Sequence, residues 1–187
     1  MKVYTAQFAL FTALTIAMCL LIFIMSSHDG TDSEVDSMKV GMLFGRLFIP
    51  GFASWDAARQ TATAMMIDYP IRKAAHMTEY GVLALLSCMA YYYHMKMQNL
   101  RKLFQIVAGE KVSLFKVSPF YRAFVYALVG AFAYSMTDEF HQTFVPGRSG
   151  QFTDCLFDTA GALIALLLLA LIRRVTRKWR KRKWGIN

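Results

Sequence analysis

Four long apolar runs organise this chain: Val3–Met25, Ala74–Met95, Phe120–Met136 and Cys155–Ile172. The first carries no charge, and the second is polar only near its ends. The third holds Arg122 and the fourth Asp158, each near its start. A spanning helix needs about 20 mostly apolar residues, with about 17 as a lower limit. The first two runs meet this directly, and the other two do so once their polar ends reach the interface. In hydrocarbon every backbone amide must be satisfied within its segment, so the runs predict helices. The expected fold is all-α, a polytopic four-transmembrane-helix bundle with spans at about 3–25, 74–95, 120–138 and 154–172. Residues 1–187 read as a single membrane domain closed by a basic tail, 173–187. The first run exceeds the apolar core of about 7–15 residues of a signal peptide, and no Ala-x-Ala-like site follows it, so it is read as a span.

The polar stretches differ in charge. Lys2 precedes the first run. Lys96, Arg101, Lys102, Lys111, Lys116 and Arg122 lie between or beside the second and third. Arg173, Arg174, Arg177, Lys178, Arg180, Lys181, Arg182 and Lys183 follow the fourth. Ser26–Pro70 has only Lys39, Arg46 and Arg59 against six acids, and Gln142–Thr153 has only Arg148. The positive-inside rule then puts both termini and the middle loop in the cytoplasm. The net charge of +9 is mostly a property of that face. Because the tail directly follows a span, it reads as a topology signal attracted to anionic lipid, with no nucleic-acid partner. Trp179 and Trp184 suit an interfacial anchor. Cys19, Cys88 and Cys155 sit in or at the edge of apolar runs, without disulfide or zinc spacing, and read as small core residues.

The first extracytoplasmic loop predicts short amphipathic helices. It opens acidic, with Asp29, Asp32, Glu34 and Asp36. Val35, Met38, Met42 and Phe44–Leu47 then form a loose helical stripe, broken at Pro50-Gly51. Ser54 is the expected N-cap of a second helix with Asp56 in its first turn. Trp55, Ala58, Ala62, Met65 and Met66 lie roughly on one face of it. Both helices are expected on the outer leaflet or capping the bundle. Lys96–Lys116 shows no catalytic pattern, and Pro119 marks the entry to the third span.

The candidate chemistry lies at the outer ends of three spans. Arg72, Lys73, His76, Glu79 and Tyr80 enter the second. Asp138, Glu139, His141 and Gln142 leave the third. Arg148 sits in the turn Pro146–Gly150, and Asp154 and Asp158 start the fourth. Helical spacings of three and four put Arg72, His76 and Glu79 or Tyr80 on one face, and Asp138, His141 and Gln142 on another. A four-helix bundle gathers such faces. Ionisable groups at a membrane rim are costly and usually line a site. As pure interhelical glue they return only about 0.6 kcal/mol per pair. His76, Glu79, Asp138, Glu139 and His141 are the candidate acid–base residues. Arg72, Lys73, Tyr80, Gln142, Arg148 and Asp154 are the candidate binding residues, with Arg148 able to grip a phosphate or carboxylate, or else to cap helix ends. No cofactor is expected. A divalent metal suits two imidazoles and several carboxylates, but its ligands cannot be chosen from sequence, and a metal-free site ranks above it. His28 and His94 read as incidental.

Taken together, Arg72–Gly81, Asp138-Glu139-Phe140-His141-Gln142, Pro146-Gly147-Arg148-Ser149, Asp154 up to Gly161, and Ser26-Ser27 resemble the VanZ-like family of bacterial membrane proteins. The likeness covers most of the chain. Two departures are Asp158, where the family often has Asn, and His28, where it often has Gln. The first adds a negative charge near the site. The resemblance implies a cell-envelope protein of the bacterial cytoplasmic membrane and a link to teicoplanin-type glycopeptide resistance, a phenotype and not a reaction.

Three functions follow as expectations. In the first, the outward site binds or processes an anionic lipid-linked or cell-wall component, whether or not catalysis is involved. The second is a proton-coupled transporter, ranked lower because the polar groups gather at one side and no internal repeat is present. The third is a non-catalytic membrane assembly factor.

Overall fold

The structure, a computed structural model, describes residues 1–112 and 117–184, without the side chains of residues 31–34 and 36. Lys116 and the acidic side chains of Asp32, Glu34 and Asp36 therefore lie outside the described residues. The chain forms five α-helices: α1 (Lys2–Ser26), α2 (Gly30–Phe48), α3 (Ala57–Val107), α4 (Pro119–Gln142) and α5 (Phe152–Trp184). A single 3₁₀ turn, Phe52–Ser54, joins α2 to α3, and there is no strand among the described residues.

Among the described residues, α1 and α5 are long and apolar enough to cross a membrane, each holding an 18-residue stretch of mean hydropathy 2.6 and 2.4 respectively. In α1 only Ile22 and Ser26 are buried, while Leu10, Ile16, Leu20 and Phe23 face outward. A helix apolar on all sides and left uncovered by protein needs lipid around it. The second and third apolar runs are also helical, within α3 and α4. They are less apolar, because His76, Glu79, Arg122 and several tyrosines lie inside them. The end of α1 is closed by Ser26 and Ser27, whose hydroxyls donate to the Phe23 carbonyl at 3.1 and 2.6 Å.

The central element is α3, which packs against α1, α2, α4 and α5. Its 51 residues extend roughly 75 Å at 1.5 Å per residue, well beyond a hydrocarbon core of about 30 Å. The second helix expected in the first loop is thus not a separate element. It continues through Pro70 into the apolar run. Proline removes one amide donor and costs about 3 kcal/mol inside a helix. Here the carbonyl it leaves free belongs to Met66, which is 80% exposed and open to polar surroundings. The expected cap also moves. Ser54 belongs to the 3₁₀ turn, and the N-cap is Asp56, whose carboxylate accepts from the Arg59 amide at 2.8 Å. A charged acceptor gains from the positive end of the helix dipole. At the far end, α3 runs on to Val107, so half of the expected basic loop is helical.

The α2 helix forms where expected but presents an unexpected face. Ser37, Gly41 and Gly45 are turned inward, and a Cβ at Gly41 would meet Ala64 of α3. Small residues allow this close approach. The large apolar side chains Val40, Leu43, Phe44, Leu47 and Phe48 point outward instead.

The core is built from small residues. On α4, Ala123, Ala127, Ala131 and Ser135 repeat at spacing four, and all are buried. The three alanines face Tyr80, Ala84 and Cys88 of α3 and Ala162 and Leu166 of α5 within one cluster. The three cysteines are free thiols, with Cys88 and Cys155 buried. The closest crossing is between α3 and α5. A Cβ at Gly161 would overlap the backbone of Met77, and one at Gly81 would meet Ala165 Cβ at 3.3 Å. This crossing sets the turn carrying His76 and Tyr80 against the first turns of α5. The Tyr134 hydroxyl donates to the Cys19 carbonyl at 2.6 Å, tying α4 to α1.

Candidate functional site

Three segments meet at one end of the bundle: Arg72–Tyr80 of α3, the last turns of α4, and the first turns of α5. Beside them is a cleft of about 530 Å³. Arg72, Lys73, His76, Glu79, Gln142, Arg148 and Asp154 all line it. Its remaining walls come from the end of α1, from α2 and from the turn after α4. Seven of the residues expected in the site therefore share one concave surface.

The bases of this cleft have partners within the chain. Lys73 Nζ lies 2.5 Å from Asp154 Oδ2, and Arg72 Nη2 lies 2.8 Å from Asp68 Oδ2, one helical turn away. Arg148 donates through Nε to the His28 carbonyl at 2.8 Å and through Nη2 to the Met25 carbonyl at 3.2 Å. It thus holds one of the last carbonyls of α1, at Met25, which has no partner inside the helix, and a second just past the helix, at His28. Its Nη1 lies 3.5 Å from Gln142 Oε1. Arg148 thus makes helix-capping contacts, while Asp154 is paired with Lys73. Burial lowers the Arg148 pKa from its ordinary value, opposed mainly by the nearby Asp138. The turn itself is fixed at Gly147, with φ 73°, and by the Gly30 amide donating to the Pro146 carbonyl at 3.0 Å.

Behind the cleft lies a buried carboxylate layer. Asp158 is 1% exposed, accepts from Ser135 Oγ at 2.6 Å, and places Oδ1 3.8 Å from His76 Nδ1. That last separation is too long for a hydrogen bond, and His76 Nδ1 finds no hydrogen-bond partner among the described residues. Asp138 accepts from Gln142 Nε2 at 3.2 Å. Glu139 Oε2 accepts from the Gln151 amide at 2.9 Å, so the loop after α4 folds back on its last turn. Burial raises the Glu139 pKa, and the Gln151 amide pulls it back. Gly150 packs on the Glu139 backbone carbonyl, where a Cβ would not fit.

The expected site thus divides in two. His76 and Glu79 are in the cleft wall, whereas Asp138, Glu139 and Tyr80 are buried behind it. Tyr80 is fully buried, with its hydroxyl beside Ser135. His141 stands apart from the cleft lining, its ring against Phe23 at a centroid distance of 4.6 Å. Helical spacing put His141 with Asp138 and Gln142, but α1 covers that side of α4. No group of three or more His, Cys, Asp or Glu side chains among the described residues is arranged to hold a metal ion.

Sequence reasoning passed over three contributors. Asp68 was legible as an acid four residues before Arg72. Ser135 was legible as the polar member of the spacing-four stripe on α4. His28 acts through its backbone carbonyl as well as by lining the cleft, and a carbonyl leaves no side-chain signal.

Neither the curated proteins nor the solved structures contain a match to this chain. A family model described as VanZ/LLP1 matches residues 11–173, which takes in α1 from Phe11 onward, the cleft and the apolar part of α5. That match includes every residue of the cleft described above. Together with the two apolar helices it marks a membrane protein, and the chain belongs to the VanZ/LLP1 family.

Proposed function

We propose that this chain is a four-span protein of the bacterial cytoplasmic membrane, one domain over residues 1–187, with both termini inside and the cleft outside. The cleft binds or processes an anionic lipid-linked or cell-wall component. Protection against teicoplanin-type glycopeptides is the consequence at the level of the cell. The observation that carries this reading is the cleft itself, which joins Arg72, Lys73 and Arg148 to His76 and Glu79 on one concave surface.

The chemistry follows from the partners. Arg72 is 40% exposed on its side chain and holds Asp68 through one nitrogen, which leaves donors for an incoming anion. Lys73 has three donors, and one is directed to Asp154. An anionic head group enters by sharing these donors, as charge-assisted hydrogen bonds allow. His76 has Nδ1 towards Asp158, so Nε2 remains for the ligand. At 3.8 Å the Asp158 carboxylate acts on the imidazole through charge alone, favouring the charged form that appears during proton transfer. Glu79 is the second acid–base group in reach of the cleft.

The pairing of all three bases within the chain also favours the assembly-factor reading, in which the cluster only sets helix register. One experiment separates the two. His76→Gln and Glu79→Gln are expressed in a susceptible bacterial host, and teicoplanin susceptibility is measured beside the amount of protein in the membrane. Loss of protection at unchanged membrane level supports the ligand site. Loss of accumulation, or full protection by both variants, overturns it.

A further inference from the structure

The opposite end of the bundle carries a second concave site. Arg173, Arg174, Arg177, Lys178 and Lys181 of α5 lie with Phe120 of α4 around a cleft of about 390 Å³. The positions recur at three and four, so the five bases share one face of a helix. No acid among the described residues lines this cleft. Like charges at such spacing repel, and the arrangement gains stability from an anion placed among them.

The innermost base is held in place. The Arg173 guanidinium carbon lies 4.3 Å from the centroid of Phe120 and 4.9 Å from that of Tyr92, so three helices meet around it. Arg173 Nε makes no hydrogen bond among the described residues. A guanidinium stacked on aromatic faces loses little further freedom when it binds an anion. Phe120 belongs to the first turn of α4, so the cleft adjoins the positive end of that helix dipole. The remaining bases continue along α5 past the apolar run, where the exposed Leu171 and Ile172 give way to charge. A ligand here has its charged part among bases and its neighbours in the apolar belt.

We propose that this cleft binds the phosphate head group of an anionic phospholipid, with Arg173 as the anchor and Arg174, Arg177 and Lys181 as the outer contacts. The charge is phosphate-like because the site offers many donors and, among the described residues, no acceptor side chain. The lipid source follows from the exposed apolar surface of α5 leading directly into the cleft.

The test uses the full chain purified in a mild detergent. Native mass spectrometry follows binding of phosphatidylglycerol, of cardiolipin and of zwitterionic phosphatidylcholine. The parent is expected to retain both anionic lipids and to release phosphatidylcholine. The variant R174Q/R177Q/K181Q changes exposed side chains and leaves Arg173 in its aromatic seat. It is expected to bind the anionic lipids about a hundredfold more weakly. Equal retention of phosphatidylcholine, or equal affinity of parent and variant, overturns the proposal. Displacement of the lipid by millimolar pyrophosphate, or preferential capture of a single-stranded RNA oligonucleotide, assigns the cleft to a soluble ligand and likewise overturns it.

Discussion

Ser135 Oγ donates to Asp158 Oδ2 over 2.6 Å, joining α4 to α5 in the layer directly behind His76. Both residues are fully buried. Removing one partner of a buried hydrogen bond leaves the other to bear its desolvation. Ser135→Ala should therefore destabilise the protein by about 1–3 kcal/mol. In a D158N background the same change should cost less, since the acceptor is then neutral and has an amide of its own to satisfy. Thermal unfolding of the four proteins in detergent measures this coupling. Strictly additive effects would show that the two side chains do not depend on each other.

The crossing of α3 and α5 predicts an order of sensitivity. A methyl at Gly161 overlaps the Met77 backbone, which cannot turn aside. A methyl at Gly81 meets Ala165 Cβ at 3.3 Å and the Gly161 carbonyl at 3.4 Å, a crowding that small shifts relieve. Gly161→Ala should cost about 1–3 kcal/mol, the usual range for overpacking, and Gly81→Ala distinctly less. Melting temperatures of the two variants under one detergent condition test the order. Equal or reversed losses would show that the helices do not cross at Gly161.

Glu139 gives the pH dependence a sign. Burial raises its pKa above the ordinary value of 4.5 in the folded protein. The folded state then binds more protons than the unfolded one over the interval between the two values, so this group's contribution falls as pH rises through it. Below that interval both states are protonated and the penalty is absent. Glu139→Gln keeps an acceptor for the Gln151 amide and removes the charge. At neutral pH the variant should be more stable than the parent, and it should lack Glu139's share of the gain on acidification. Unfolding curves from about pH 4 to about pH 8 check this, and an unchanged slope would assign the dependence to other carboxylates.

Length and hydropathy determined that the chain is helical and that at least two of its helices suit a membrane, because apolar runs of this length leave the backbone no other way to satisfy its amides. They also marked the candidate residues, since a charge beside such a run stands out wherever the chain folds. The sequence alone could not divide those residues by role. Arg72, Lys73, His76 and Glu79 reach a shared cleft, while Asp138 and Glu139 lie behind it and His141 packs under α1. That division depends on which side of α4 its neighbours cover, and a helical wheel does not record neighbours. The first loop is expected to run to Pro70 and the second span to start after it, yet α3 continues through Pro70, with α2 packed on its earlier turns and α1, α4 and α5 along its length. Arg148 acts on two backbone carbonyls of a helix end more than a hundred residues earlier in the chain. Only tertiary structure could supply such partners, because every residue has a carbonyl and proximity alone selects which ones are used.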